Sequence, residues 1–291
     1  MNKLRRRIVQ IITALTINSY VIGFMQGSIY KGSLKKICVP GLNCSYCPGA
    51  WGTCPVGMLQ AGVAGMLSFP STFFIIAFLL IVGLSLGRFV CGWLCPVGLL
   101  QELLFKIPGP KLPGIERFKK LEYLQYLILI VFVLAIPFLG IKGLSTMAFC
   151  RYICPIEVLE AHLPQMIVRP ALMMTMSVWV IGKAVFLLVL LGMAIIVFKP
   201  FCRYICPLGA IYSIFNPISR YRYQVNQDKC TSCGVCQAKC PMDITVYQEP
   251  NHRDCMRCDE CLDCPAEAIE RKRFRKGHSG EFQNVNLEQE P

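Results

Sequence analysis

Four long apolar runs constrain the fold of this chain more than any other feature. Each run is long enough to cross about 30 Å of hydrocarbon at roughly 1.5 Å per residue. They cover Ile8–Met25, Thr72–Val90, Leu121–Leu139 and Ser177–Phe198. A shorter apolar stretch, Val56–Phe69, is expected to form a surface or re-entrant helix. The sequence therefore predicts an α-helical membrane protein with four transmembrane helices.

Basic residues between the runs predict how the helices are oriented. They are concentrated at the N-terminus and in the segments after the second and fourth runs, and the other two loops hold fewer. The positive-inside rule then places both termini in the cytoplasm, in a multi-pass protein of the inner membrane. The same loops explain the net charge of +13, so the predicted partner of this charge is the lipid bilayer and not nucleic acid. Lys183, near the outer end of the fourth run, is expected to extend to the interface.

The last quarter of the chain contains eight cysteines in two compact motifs. The first motif, Cys230-Thr-Ser-Cys233-Gly-Val-Cys236-Gln-Ala-Lys-Cys240-Pro241, is the C-x2-C-x2-C-x3-C-P run of bacterial ferredoxins. The second motif is Cys255-Met-Arg-Cys258-Asp-Glu-Cys261-Leu-Asp-Cys264-Pro265, and its last gap is one residue shorter. In this pattern three thiolates of each run bind one [4Fe–4S] cluster, and the fourth binds the other cluster.

The cross-over predicts two ligand sets. The first set is Cys230, Cys233, Cys236 and Cys264, and the second set is Cys255, Cys258, Cys261 and Cys240. Zinc also accepts four thiolates, but the third thiolate and the following proline in each run favour iron–sulfur clusters. Thiolate ligands indicate a reducing compartment. We expect a four-span domain over residues 1–218, a small α+β two-cluster ferredoxin domain over 219–276, and a polar tail over 277–291.

The membrane part contains an internal repeat. Each apolar run is followed by a Cys-Pro step, and the four steps are Cys54-Pro55, Cys95-Pro96, Cys154-Pro155 and Cys206-Pro207. The last three steps end complete C-x3-C-P motifs that begin at Cys91, Cys150 and Cys202. Because the steps alternate between the two sides of the membrane, the chain is predicted to contain two parallel repeats, related by an axis along the membrane normal.

This axis would bring four cysteines together near the cytoplasmic side. These inner cysteines are Cys91, Cys95, Cys202 and Cys206. A cysteine that precedes a proline at the first position of a helix sits at the positive helix end, which lowers the thiol pKa and favours thiolate. One hypothesis is a further thiolate-bound redox centre. The alternative is that the cysteines are buried and pack against glycine and aromatic residues.

The opposite side carries a second group of cysteines. These outer cysteines are Cys44, Cys47, Cys54, Cys150 and Cys154, with Cys38 nearby. They are able to hold a cofactor or to form disulfides on an oxidising face, and the sequence leaves both interpretations open.

The positions of the histidines exclude one class of cofactor site. None of the three histidines, His162, His252 and His278, lies in an apolar run. A haem with two histidine ligands inside the bundle is therefore not expected, and no catalytic residue is identified.

Together, these motifs resemble the NapH-type membrane quinol dehydrogenases and, more broadly, the polytopic 4Fe–4S membrane ferredoxins. The resemblance rests on the four runs, the paired motifs at Cys91/Cys95 and Cys202/Cys206, and the eight cysteines of the tail. It implies oxidation of membrane quinol, with the quinone pool on one side of the reaction and a periplasmic or cytoplasmic redox protein on the other. Two alternatives remain: an accessory or assembly factor for an extracytoplasmic metalloenzyme, and a redox-sensing membrane ferredoxin.

Overall fold

The computed structural model describes residues 2–111, 121–140, 144–170 and 177–272. Its α-helices are α1 (Asn2–Ile17), α2 (Val21–Gln26), α3 (Pro55–Val63), α4 (Phe69–Leu86), α5 (Phe89–Trp93), α6 (Pro96–Phe105), α7 (Leu124–Ile128), α8 (Ile136–Leu139), α9 (Leu163–Val168), α10 (Val178–Ile196), α11 (Pro200–Tyr204), α12 (Pro207–Phe215) and α13 (Val235–Ala238). The segments Leu129–Ala135, Phe149–Ile153 and Val158–His162 are π-helical, and Ser33–Lys36 and Glu260–Leu262 are 3-10 turns. The strands are β1 (Arg222–Val225) and β2 (Ile269–Lys272).

Three helices in the described part of the chain are long and apolar enough to cross a membrane. They are Phe69–Leu86, Leu121–Leu139 and Val178–Ile196. Most of their side chains remain exposed in the folded chain, as expected where lipid is the solvent. The predicted runs agree with these helices to within a few residues, and the third run agrees at both ends.

The first apolar run differs from its prediction, because it is split between two helices. Helix α1 begins in the basic segment and has 16 residues, which is about 24 Å at the usual rise. The chain then leaves the helix because Asn18 donates to Oδ1 of Asn43 (3.2 Å) and the N–H of Tyr20 donates to the carbonyl of Gly49 (3.0 Å). These polar contacts with the loop that carries the outer cysteines prevent Ile8–Met25 from continuing as one helix.

The three C-x3-C-P motifs share one local structure. In each motif the second cysteine donates its backbone N–H to the carbonyl five residues earlier, at 3.0 Å for Cys95, 2.8 Å for Cys154 and 2.9 Å for Cys206. Cys95 and Cys206 then cap α6 and α12, and proline occupies the first position of each helix. Cys54 caps α3 in the same way. The predicted helix starts at these steps are confirmed.

The tail folds around two similar loops. Strands β1 and β2 are antiparallel, with Arg222 opposite Lys272 and Val225 opposite Ile269, so the two ends of the described tail lie side by side. Both cysteine loops adopt left-handed backbone at matching positions: φ is 50° at Ser232 and 72° at Gly234 in the first loop, and 52° at Arg257 and 66° at Asp259 in the second. Three of these four are not glycine, so the surrounding contacts hold them in an uncommon conformation. Residues 273–291, which include the end of the predicted ferredoxin domain and the polar tail, lie outside the described residues.

Candidate thiolate sites

Each half of the tail encloses a cavity lined by one predicted ligand set. The first cavity has about 310 Å³ of space, and its wall includes Cys230, Cys233, Cys236 and Cys264. The second has about 300 Å³, and its wall includes Cys240, Cys255, Cys258 and Cys261. The cross-over is visible in both walls, because Cys264 lies with the first loop and Cys240 with the second. The shorter final gap of the second motif therefore does not remove Cys264 from its set. Four thiols in the wall of one cavity match the number and type of ligands of a [4Fe–4S] cluster.

The structure also brings the inner cysteines together. After burial, the largest influences that raise the pKa of the Cys206 thiol are Cys202 and Cys91, and Cys95 contributes as well. Burial raises the pKa of Cys91 to about 11 and that of Cys202 to about 12. Burial also raises the pKa of Cys95 and Cys206, the two inner cysteines that precede proline. The expected lowering of the pKa at the helix ends is therefore wrong for the metal-free thiols, because desolvation outweighs the helix dipole. A bound metal would be needed to hold them as thiolates.

Buried polar side chains surround the inner cysteines. Lys199 is 1% exposed, its Nζ lies 2.7 Å from Oε1 of Glu102, and it donates to the carbonyl of Cys91 (3.2 Å). Arg88 is fully buried and donates to Asp254 (3.0 Å) and to the carbonyl of Gly209 (3.2 Å). Two buried cations so close to four thiols would offset the negative charge of thiolate ligands.

Sequence reasoning missed these residues, although the repeat contains a signal for them. Arg88 and Lys199 each stand three residues before the first cysteine of an inner motif. Gln101 stands six residues after Cys95, donates to the sulfur of Cys202 (3.2 Å) and accepts from the N–H of Phe201 (3.0 Å). Aligning the motifs on their cysteines would have identified all three positions.

A third cavity lies among the outer cysteines. It has about 430 Å³ of space, and Cys44, Cys54, Cys150 and Cys154 lie in its wall. Cys47 and Cys38 are not part of this wall. The thiol of Cys47 points to Oδ1 of Asn18 (3.6 Å) instead. All eighteen cysteines are free thiols in the structure.

Lys183 does not extend to the interface, so that expectation is wrong. Its side chain is 4% exposed, forms an ion pair with Glu157 and donates to the carbonyl of Cys150 (3.3 Å). Glu157 also lines the outer cavity. The pair forms because the partly buried carboxylate of Glu157 is available on the packed segment, which the sequence of the fourth run alone does not show.

Comparison with known proteins supports an iron–sulfur assignment. A family model described as a 4Fe-4S binding domain matches residues 68–114, 125–159 and 178–223, and each of these segments contains one C-x3-C-P motif. A second model with the same description matches residues 223–244. No solved structure matches the fold.

Curated relatives match about two thirds of the chain. An uncharacterized protein of Methanocaldococcus jannaschii is 33% identical over 66% of this chain and 74% of its own length. The methylamine utilization ferredoxin-type protein MauN of Methylorubrum extorquens is 30% identical over 65% of this chain and 55% of its own length. The ferredoxin-type protein NapH of Haemophilus influenzae is 26% identical over 67% and 65%.

This chain belongs to the NapH-type family of 4Fe–4S membrane ferredoxins. It is a membrane protein of iron–sulfur electron transport, as its apolar helices and cysteine motifs indicate. It spans less than two thirds of the length of MauN and NapH.

Proposed function

We propose that this NapH-type chain passes electrons between membrane quinol and a redox partner, through the two tail sites and the inner cysteines. In this proposal the tail sets hold two [4Fe–4S] clusters, the inner cysteines hold a further thiolate-bound centre, and two parallel repeats of four spans place both termini in the cytoplasm. The redox partner is a periplasmic or cytoplasmic protein.

The observation that carries the proposal is the contact between the second tail loop and an inner motif. Gly92 follows Cys91, and a Cβ there would collide with the carbonyl oxygen of Met256, the residue after Cys255. The indole N–H of Trp93 donates to the carbonyl of Arg257 (2.9 Å). The backbone beside one thiol set therefore packs directly on the backbone beside the other. Such a contact leaves no layer of water or lipid between the two sites.

A cavity beside the second tail site supports a quinol role. It has about 1010 Å³ of space and lies between α1, α6 and the tail. Leu4, Phe105 and Phe198 form its apolar part, and the rest of the wall is charged, with Arg6, Arg7, Glu102, Lys106, Lys239 and Glu260. Glu260 also lines the second tail cavity. The apolar part suits a quinol ring, and the charged part suits its hydroxyl groups. The carboxylate of Glu260 therefore lies where one proton acceptor is needed.

Oxidation of one quinol to quinone releases two protons and two electrons. When bound, the clusters supply one-electron transfer, so the electrons leave in two separate steps. Arg6 holds the region together, because it donates to Glu102 (3.1 Å) and to the carbonyl of Cys258 (3.2 Å) and lies 3.7 Å from Glu260. We infer that Glu260 accepts one of the two protons, that the other passes to water at the open side of the cavity, and that Arg6 holds the Glu260 carboxylate near the second site.

The test is reduction of the tail clusters in the purified full-length protein, followed by EPR under anaerobic conditions. Glu260→Gln should slow reduction by duroquinol about a hundredfold, the usual scale for loss of a general base. Reduction by dithionite should be unchanged. Leu4→Trp, at a side chain that is 69% exposed, should raise the apparent KM for duroquinol by filling the cavity.

The matched control is Glu249→Gln, a tail carboxylate whose side chain is 66% exposed and does not line the cavity. It should leave both rates unchanged. If the wild-type protein is reduced by dithionite but not by any quinol, the quinol role is wrong. If Glu260→Gln and Glu249→Gln behave alike, the cavity is not the quinol site.

A further inference from the structure

We infer that the outer cavity binds an additional [4Fe–4S] cluster, with Cys44, Cys54, Cys150 and Cys154 as its ligands. The inference shares the iron–sulfur chemistry of the proposed function, but it does not depend on quinol. Cys44 and Cys54 lie outside every segment that the family models match, so those models do not assign this ligand set.

The first argument is the arrangement of the thiols. The four cysteines lie in the wall of one cavity of about 430 Å³, which is at least as large as the two tail cavities of about 310 and 300 Å³. They come from two distant parts of the chain, one pair from the loop before α3 and one pair from the C-x3-C-P motif that begins at Cys150. Four thiols at separate points of such a wall suit a four-iron cube better than a single ion.

The second argument is that the outer and inner sites are built in the same way. Gln60 stands six residues after Cys54, and Gln101 stands six residues after Cys95. Gln60 accepts from the N–H of Phe149 (3.2 Å) and donates to the sulfur of Cys150 (3.7 Å). Gln101 makes the same two contacts with Phe201 and Cys202. Each glutamine thus fixes the first cysteine of the motif that faces it.

Other parts of the two sites also correspond. Lys183, which is paired with Glu157, donates to the carbonyl of Cys150 (3.3 Å). In the same way Lys199, which is paired with Glu102, donates to the carbonyl of Cys91 (3.2 Å). Each site therefore has a buried cation next to the first cysteine of a C-x3-C-P motif.

Cys44, which has no counterpart among the motifs, is positioned by a separate contact. Glu160 accepts a hydrogen bond from its backbone N–H at 2.5 Å. Glu160 stands six residues after Cys154, the position that glutamine occupies after Cys54 and Cys95. The side chain at this position again fixes a cysteine on the facing segment.

The loop before α3 also connects the outer cavity to the inner cysteines. A Cβ on Gly41 would lie 3.1 Å from the Cα of Cys95. The backbone N–H groups of Leu42 and Asn43 are near enough to the thiols of Cys95 and Cys54 to act against the rise of their pKa. Leu42 and Cys44 both line the outer cavity. Two residues of extended chain cover about 7 Å, so the outer site is a close neighbour of the inner site.

The experiment is iron analysis of the full-length protein, purified anaerobically in detergent, for wild type and for single variants. Cys54→Ser and Cys154→Ser should each lose about four irons per chain relative to wild type. The EPR signals of the dithionite-reduced tail clusters should remain, which shows that the variant is folded. Cys47→Ser is the matched control, because this cysteine is buried in the same loop outside the cavity wall, and it should lose no iron.

A second measurement uses the wild-type protein and does not depend on the folding of variants. In the native protein, Cys44, Cys54, Cys150 and Cys154 should resist alkylation, and all four should be alkylated after chelation of iron under denaturing conditions without a reductant. Disulfide-linked peptides among them, or zinc in place of the iron, would overturn the inference. Equal iron in Cys47→Ser and Cys154→Ser would overturn it as well, whatever the result of the quinol experiment.

Discussion

At the residue scale, the inner site depends on charges that are fully withdrawn from solvent. Arg88 is 0% exposed and is held by Asp254, by Gln125 (2.8 Å) and by the carbonyl of Gly209. It thereby links α5 to α12 and to the tail. An arginine in such a place is structural as well as electrostatic, because its donors are aimed at partners on separate segments.

Replacing this arginine should destabilise the protein strongly. Arg88→Leu leaves the buried carboxylate of Asp254 without its cation, and we expect a loss of about 3–5 kcal/mol in the free energy of unfolding. Denaturant unfolding of the detergent-solubilised protein measures it. The control is Lys239→Gln, whose pair with Asp263 is long (3.9 Å) and exposed and should contribute less than about 1 kcal/mol. Similar losses in the two variants would contradict this account of Arg88.

On the outer side, burial and neighbouring cysteines together set the thiol pKa values. Burial raises the pKa of the Cys150 thiol well above its ordinary value, and Cys154, Cys54 and Cys44 raise it further. The Cys154 thiol behaves similarly, with a pKa of about 12. Thiols in such a place remain protonated unless a metal binds, which fits a site assembled together with its cofactor.

At the scale of elements, the contact between α5 and the second tail loop is unusually close. Gly92→Ala would place a Cβ against the carbonyl of Met256, so the loop must move, at a cost of about 1–3 kcal/mol. We expect iron content to persist while electron transfer between the tail and the inner site slows. Stopped-flow reduction by dithionite, followed at several wavelengths, measures the rate.

The control for this variant is another glycine on a helix. Gly192→Ala in α10 meets no atom within 4 Å, and its rates should match wild type. A Gly92→Ala protein with wild-type rates would show that the two elements tolerate separation, and the contact would then carry no function.

Each tail cavity is lined by cysteines from both tail loops, and this cross-over is tested by single substitutions. Cys264→Ser should remove the same cluster as Cys233→Ser, although Cys264 lies in the second motif, because both thiols line the first cavity. Cys240→Ser should in turn resemble Cys258→Ser. EPR of the reduced variants distinguishes the remaining cluster. The assignment is wrong if Cys264→Ser instead removes the same cluster as Cys258→Ser, its neighbour in the second motif.

At the scale of the whole molecule, the N-terminal helix and the tail lie on the same side of the membrane part. Arg6 of α1 contacts the carbonyl of Cys258, and Gln10 donates to the carbonyl of Gly92 (2.7 Å). Helix α1 is therefore amphipathic at its start, and its polar positions pack on the tail and on α5. This explains why an apolar run that begins at Ile8 belongs to a helix that starts at Asn2.

We expect that common side to be the cytoplasm, because basic residues are concentrated there. An epitope tag inserted after Lys31, in an exposed part of the loop after α2, should be accessible to antibody in intact spheroplasts. A tag after Pro291 should become accessible only after permeabilisation. The reverse pattern would invert the topology and, with it, the assignment of the inner and outer cysteines.

The sequence by itself determined those features that depend on local chemistry. Apolar runs must lie in lipid, and three of the four appear as helices with nearly the predicted bounds. Proline after cysteine must begin a helix, because its ring fixes φ and it lacks an N–H. The spacing of the eight tail cysteines likewise predicted which thiols share a cavity, because the two-cluster ferredoxin pattern places the fourth cysteine of each motif with the other loop.

Only the tertiary structure decided the features that depend on distant partners. The break after α1 follows from Asn43, the position of Lys183 from Glu157, and the raised thiol pKa values from burial. The selection of Cys44 and Cys54 over Cys38 and Cys47 depends on how the loop packs against the motif that begins at Cys150. Such contacts join residues 25 to 116 positions apart. Local pattern carries little information about them, because each is set by the packing of the whole bundle.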